Sequence, residues 1–328
     1  MYDGKHPINS PFKVLIIGAG RISAFFDSPG SAEVLTHAHA VSLHPGFQLA
    51  GFVDTDQKAA EEAASLWQSK AFQSVDEAFQ AGPIDIAAVA AADEAHFPLL
   101  LDLADRPLQL VFAEKPLTKT VAESEQIERL YRAKKKALAV NYSRRYVSEF
   151  VEIGGNIRAG KWGRLLAGQA LYGKGFVHNG SHWMNLFLHW FGDVTGCQVL
   201  GQIEDCYEDD PSLRLAVTFD GDQTILFNPV DCRQYTVFEA DLCFENHRLR
   251  IADAGFSLES YQVHEDARFA GYRKLLPGKP VLTGLGTAMA SAYDNLYAYL
   301  TGAAAIQCDL ADAVRTMKQC AAVGERAR

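Results

Sequence analysis

The sequence predicts a two-domain α/β protein, with a doubly wound parallel sheet followed by an α+β domain on a mostly antiparallel sheet. Three observations carry that prediction. The 328 residues exceed what one small domain needs. The first 141 residues alternate short apolar runs with helical stretches, the mark of βαβ units. From Leu213 to Val263 the chain instead reads as successive strands with turn signals such as Asp220-Gly221-Asp222. The domains are therefore placed at 1–141 and 142–328.

Each element has its own justification. Lys13–Gly18 (KVLIIG) is an unbroken apolar run ending at glycine, as a strand buried on both faces requires. Phe47–Asp54 is a second run that closes on an acid, and Asp56–Ser69 carries alanine and glutamate at helical spacing. Ile84–Ala90, Leu108–Ala113 and Ala137–Asn141 complete the strands, separated by helices at Asp93–Ala104 and Val121–Lys136. Lys134, Lys135 and Lys136 close the latter, where cations complement the negative end of the helix dipole. Beyond Tyr146, helices are expected over Val147–Gly160, Ser181–Phe191, Ala288–Leu300 and Leu310–Ala322, and a strand over Leu165–Tyr172.

Composition narrows the function. Lys and Arg number 31 against 40 Asp and Glu, a net charge of −9. That argues against a nucleic-acid partner, which needs a basic surface to displace counterions. The longest apolar run, Ile86–Ala92, has seven residues, against about 20 for a membrane span. The start, MYDGKHPINSPFK, lacks an apolar signal segment, so a cytoplasmic location is expected. The six cysteines form no Cys-x-x-Cys pair and read as scattered reduced thiols, and no metal site is expected.

Gly18-Ala19-Gly20-Arg21-Ile22-Ser23 follows the first strand and is expected to open a helix. It matches G-x-G-x-x-[GA] with Ser at the last place. Gly18 permits the tight turn, and Gly20 lets the backbone approach a pyrophosphate. Arg21 and Ile22 begin the following helix, and Arg21 is placed within reach of a phosphate. Asp54 closes the second strand, where a carboxylate bonds ribose hydroxyls and repels the extra phosphate of NADP, so NAD is the expected cofactor. Asp54 lies 34 residues beyond Gly20, whereas about 20 is usual. The excess, Asp27–Leu43, reads as an inserted loop, with His37 and His39 in a surface or rim role.

Glu114-Lys115-Pro116 follows directly on the fourth strand, at the sheet end where ligands bind. Together with Val14–Ser23, Asp54, Ala91-Ala92-Asp93-Glu94-Ala95-His96, Arg145 and His178–Asn185, it resembles the Gfo/Idh/MocA oxidoreductase family over nearly the full length. The resemblance implies an N-terminal Rossmann domain, a C-terminal α+β domain on an open sheet, and hydride transfer with a carbohydrate-like alcohol. It also implies a homo-oligomer, dimer or tetramer, assembled through the C-terminal sheet. Lys115 matches the lysine that bonds the reacting hydroxyl, and Glu114 lines the nicotinamide side. Ala91, Ala92 and His96 match the loop packed over the cofactor. Arg145 matches an arginine in structural or substrate-side ion pairing.

In the second half, the family pattern D-x-G-x-H-x-x-D reads His178-Asn179-Gly180-Ser181-His182-Trp183-Met184-Asn185. The resemblance puts His182 at the acid/base position, and an imidazole's ordinary value near 6.5 suits proton transfer at neutral pH. Both acidic positions are lost, to His178 and Asn185. His178 joins His182 and Lys115 as a candidate catalytic residue. Asn179 and Asn185 are expected to hold neighbouring hydroxyls, and Lys174 or Arg145 a phosphate or carboxylate. The preceding Tyr172-Gly173-Lys174-Gly175 resembles a branch of the family linked to surface-polysaccharide or sugar-nucleotide metabolism. The expected activity is NAD(H)-dependent oxidation of a sugar or cyclitol hydroxyl. A non-catalytic NAD- and sugar-binding regulator and an NAD-assisted glycoside hydrolase are the alternatives.

Overall fold

The structure is a computed structural model and describes residues 10–326. The chain divides into two units. One runs to Tyr146 and is completed by Gly286–Val314; the other comprises Val147–Leu285 and the residues from Arg315 onward.

The first unit is built from β1 (Phe12–Ile17), α1 (His37–Leu43), β2 (Phe47–Val53), α2 (Gln57–Leu66), β3 (Ala71–Phe72), α3 (Val75–Ala81), β4 (Ile86–Val89), α4 (Asp93–Asp105), β5 (Leu110–Ala113), α5 (Val121–Lys134) and β6 (Ala137–Val140). Its strands are all parallel, in the order β3-β2-β1-β4-β5-β6. The order reverses between β1 and β4, and ligands of open α/β sheets bind beyond the strand ends at such a point. Val14–Ile17, Ile86–Val89 and Leu110–Ala113 are at most 3% exposed, which is why these strands read as continuous apolar runs. Side chains set the helix starts: Thr36, Asp56, Ser74 and Thr120 accept backbone N–H bonds at the first turns of α1, α2, α3 and α5. Thr120 and Glu123 form a reciprocal capping box. β3 and α3 are elements the sequence pattern leaves out, because two strand residues carry no periodicity.

The largest departure falls on Asp27–Leu43. The glycine turn opens only a five-residue π-helical turn, Arg21–Phe25, rather than a long helix. The inserted segment then ends in α1, where His37 and His39 are 0% and 2% exposed. These histidines are core residues, not loop or rim residues. Each ring has a buried polar partner, described below for His37, and His39 Nδ1 lies 2.8 Å from the buried Asp27 carboxylate.

The second unit contains α6 (Ser148–Arg158), β7 (Leu165–Tyr172), α7 (Ser181–Phe191), β8 (Val194–Ile203), β9 (Ser212–Phe219), β10 (Gln223–Pro229), β11 (Glu239–Phe244), β12 (His247–Ala252), β13 (Ser257–Glu265), β14 (Arg273–Pro277) and β15 (Val281–Leu282). They form one nine-stranded sheet, ordered β14-β13-β12-β11-β7-β10-β9-β8 with β15 on β13. Only the β7–β10 pairing is parallel among those described. α7 is apolar nearly all round, and Phe187 and Phe191 pack on Phe219, with Phe227 also against Phe187. Cys206 and Cys232 form a disulfide with Cα atoms 6.4 Å apart, correcting the expectation of six thiols. Their separation of 26 residues conceals the pair from any short-spacing motif.

The chain then returns to the first unit with α8 (Ala288–Leu300), and α9 (Leu310–Arg326) belongs to it as far as Val314. Met289, Ala292, Tyr293 and Leu296 of α8 join the same core as Phe47 and Phe112. A boundary at 141 that assigns everything later to the second domain therefore needs correction. Periodicity reveals a helix's apolar face but not the surface that face meets. Among the described residues, no helix is long and apolar enough to cross a membrane.

Candidate active site

The first unit gathers its candidate residues at the carboxyl ends of β1, β2, β4 and β5. Gly18 leaves β1 with φ +100°, and a Cβ there would lie 2.4 Å from the Ala90 carbonyl oxygen. Glycine alone fits where the turn crosses the end of β4. Gly20 has the opposite surroundings: a Cβ there would meet nothing within 4 Å, so the turn leaves open space of the kind a pyrophosphate fills. Ser23 is fully buried, its hydroxyl 3.4 Å from the Ala90 carbonyl oxygen, so the motif's last place admits a small side chain. Arg21 is exposed and Ile22 half-buried on the short turn. The Asp54 carboxylate accepts from Ala19 N–H at 2.6 Å and from Asp56 N–H at 2.9 Å. It thus stands against the glycine turn despite the long spacing. These residues fit a dinucleotide.

Ala91 and Ala92 follow β4, and Ala92 precedes α4. His96, in the first turn of α4, is fully buried. Its Nδ1 lies 2.8 Å from the Pro116 carbonyl oxygen and its Nε2 3.2 Å from that of Ala91. The ring therefore joins the loops after β4 and β5.

Glu114 directly follows β5, with its carboxylate in a buried polar network. Oε1 lies 3.0 Å from His37 Nε2 and accepts from Asn141 Nδ2 at 2.7 Å, while His37 Nδ1 lies 3.0 Å from the Tyr293 hydroxyl. Burial pushes the Glu114 carboxyl up, but the hydrogen bonds from His37 and the Asn141 amide and the charge of nearby Lys115 outweigh it, so the carboxyl sits below its ordinary value. A depressed carboxyl stabilises the fold above its unfolded pKa and loses that contribution as pH falls through the folded one. Glu114→Gln is therefore expected to cost about 1–3 kcal/mol at neutral pH. That deficit should shrink as pH drops from about 5 to 3, read from urea midpoints of both proteins across that range.

Lys115 follows, half-buried, before a cis bond to Pro116. Arg145 is 4% exposed, bonded to Asp312 at 2.9 Å and to the Gln307 carbonyl. Its guanidinium serves the packing of the first unit, which is the structural side of its expected role and not the substrate side. Sequence reasoning misses His37, Asn141 and Tyr293, whose sequence separations from their partners leave no local signal.

In the second unit, His178 lies on a π-helical turn, Phe176–Gly180, and His182 on the first turn of α7. Two carboxylates reach this segment from a distant stretch. Asp210 accepts from the N–H groups of Phe176, Val177 and His178 at 2.8–3.1 Å, and Asp205 from that of Lys174 at 2.7 Å. Burial pushes the Asp210 carboxyl up despite those backbone bonds. A Cβ on Gly175 (φ +78°) would lie 2.2 Å from Asp210 Oδ2, so glycine is required there. The His178 Nε2 lies 2.9 Å from the Tyr207 hydroxyl, and the His182 ring meets Phe238 edge-on at 6.2 Å. Asn179 Nδ2 donates to the Gly173 carbonyl at 2.8 Å, closing its own loop. Asn185 is 2% exposed and donates to Thr316 of α9 at 2.9 Å, so it holds two helices together.

The fold and the glycine turn define a dinucleotide-binding Rossmann unit joined to an α+β unit on a mostly antiparallel sheet. Residues 12–142 match the Gfo/Idh/MocA family model, described as oxidoreductase family, NAD-binding Rossmann fold. Three solved structures share the whole architecture. The WlbA dehydrogenase from Bordetella pertussis in complex with NADH and UDP-GlcNAcA is 15% identical, covers 98% of this chain and 97% of its own, and has a TM-score of 0.80. UDP-N-acetylglucosamine 3-dehydrogenase GnnA from Acidithiobacillus ferrooxidans is 15% identical over 97% of this chain and 98% of its own, with a TM-score of 0.77. An oxidoreductase from Agrobacterium radiobacter in complex with NAD+, L-tartaric acid and magnesium is 14% identical over 97% and 96%, with a TM-score of 0.76. At these identities the likeness concerns the fold. No curated relative matches the sequence.

Proposed function

We propose that the protein is an NAD(H)-dependent dehydrogenase or reductase acting on a secondary hydroxyl or keto group of a nucleotide-linked sugar. The anchored Glu114, which sets Lys115 at the end of β5 beside the glycine turn, carries this reading. The substrate class is taken from WlbA and GnnA, whose names carry UDP-linked amino sugars. Free sugars and cyclitols are the broader class.

NAD, when bound, supplies the hydride acceptor. The protein's residues do the rest. Gly18 and Gly20 keep side chains off the turn that holds the pyrophosphate, and Asp54 bonds the ribose hydroxyls. The Lys115 ammonium donates to the reacting hydroxyl oxygen and stabilises the charge that grows on it as its proton leaves. In the second unit, His182 is the candidate acid/base, and His178, whose Nε2 lies 2.9 Å from the Tyr207 hydroxyl, is a candidate for binding a hydroxyl. Lys174, on the turn that Asp205 fixes through its backbone, binds the substrate's phosphate.

The test is nicotinamide reduction across UDP-sugars, free sugars and cyclitols. Tight binding of NAD and a sugar without any redox would replace the enzyme with a binding protein. Asp54 also sets cofactor preference. Asp54→Asn keeps an acceptor for Ala19 N–H but removes the charge, and is expected to raise NADP use relative to NAD by about tenfold, ~1.4 kcal/mol. Competitive turnover with the two cofactors measures this.

A further inference from the structure

The hydrogen-bonded chain from Tyr293 through His37 to Glu114 stops one residue short of Lys115. We infer that His37 is a positioning residue: Tyr293 holds it as the Nε2-protonated tautomer, and in that form it pins the Glu114 carboxylate and so sets the direction in which Lys115 leaves β5. This rests on the role proposed for Lys115.

The tautomer follows from what each partner is able to do. Burial, with the Glu114 charge nearby, raises the Tyr293 hydroxyl well above its ordinary range, so it remains an O–H. A carboxylate only accepts, so Glu114 requires a proton on the ring nitrogen facing it. A neutral imidazole carries one proton. With that proton on Nε2, Nδ1 is left to accept from Tyr293, and both 3.0 Å contacts are made. The other tautomer would set an unprotonated nitrogen against a carboxylate. Packing keeps the ring from escaping the choice: His37 is 0% exposed and lies edge-on to Phe112 at 5.3 Å and Tyr293 at 5.9 Å.

The consequence for Lys115 is geometric. Glu114 is held toward α1 by His37 and toward the end of β6 by the Asn141 amide, and its own N–H donates to the Val89 carbonyl at 2.8 Å. Both ends of the residue before Lys115 are thereby fixed, which limits the directions open to the lysine. Small errors of placement in a reacting group cost large factors in rate.

The experiment combines ring-nitrogen NMR of the histidine-labelled full chain with kinetics and amine labelling. Wild-type His37 is expected as the neutral Nε2–H form, and Tyr293→Phe is expected to give a mixture of tautomers. His37→Ala is expected to lower kcat about tenfold, ~1.4 kcal/mol in the barrier, while the Kd for NAD measured by calorimetry stays near that of wild type. The acylation rate of Lys115, read by mass spectrometry, should change in the same variant. His37→Gln, whose amide is able to donate to Glu114, should restore both. An Nδ1–H tautomer in the wild type overturns the proposal. So does an equal loss in the Ala and Gln variants, which would mark packing alone. Should the wild type oxidise nothing in the panel, the proposed function fails, whereas the tautomer and the Lys115 labelling still decide this inference.

Discussion

Replacing Lys115 with alanine is expected to lower kcat by about two to four orders of magnitude, the range that proton-handling groups contribute. The loss should fall on kcat, and the Kd for NAD should stay close to that of wild type. The reason lies in the division of work within the first unit. In the proposed function, pyrophosphate and ribose contacts belong to the turn of Gly18 and Gly20 and to Asp54, whereas Lys115 stands at the end of a different strand. Lys115→Arg keeps the charge but not the compact ammonium, and should recover little of the rate. Steady-state kinetics on a substrate found in the panel, with calorimetric cofactor affinity beside it, checks both statements. An alanine variant with undiminished kcat would remove Lys115 from the chemistry.

Gly18→Ala and Gly20→Ala are expected to fail in different ways. At Gly18 the new methyl would lie 2.4 Å from backbone oxygen Ala90 O, at a φ of +100° that side chains rarely adopt. Overpacking and backbone strain together should cost about 2–5 kcal/mol, or roughly 5–20 °C in unfolding midpoint. At Gly20 the methyl meets open space and the backbone is unstrained, with φ −87°. Stability should hardly change there, while NAD affinity falls because the methyl occupies the approach of the pyrophosphate. Thermal unfolding and cofactor titration of the two variants separate the effects. Equal destabilisation of both would refute the distinction.

The parts of this site that are legible in the sequence are those written in consecutive residues. The apolar run into Gly18-Ala19-Gly20 and the placement of Glu114-Lys115-Pro116 after a strand both specify local backbone, and the strands that carry them are buried on both faces. The α7 limits were legible for a similar reason, since its apolar residues extend to Gly192. What the sequence hides are partnerships across long separations. His37 meets Tyr293 256 residues away, and Asn185 meets Thr316 131 residues away. Polar residues in a histidine-rich insertion resemble a solvated loop until the helix that buries them is known. Arg145 and Asn185 show the converse: a polar residue near a motif invites a ligand, yet a buried internal partner satisfies it equally well.

The return of Gly286–Val314 to the first unit also orders the events of synthesis. On a ribosome that adds about 5–20 residues per second, the growing chain waits roughly 8–30 s between the emergence of Tyr146 and that of Leu296. Throughout that interval the parallel sheet has neither Tyr293 to bond His37 nor Leu296 and Ala292 to cover its core. Until α8 emerges, the nascent N-terminal segment leaves uncovered the apolar surface that Met289, Ala292, Tyr293 and Leu296 later bury.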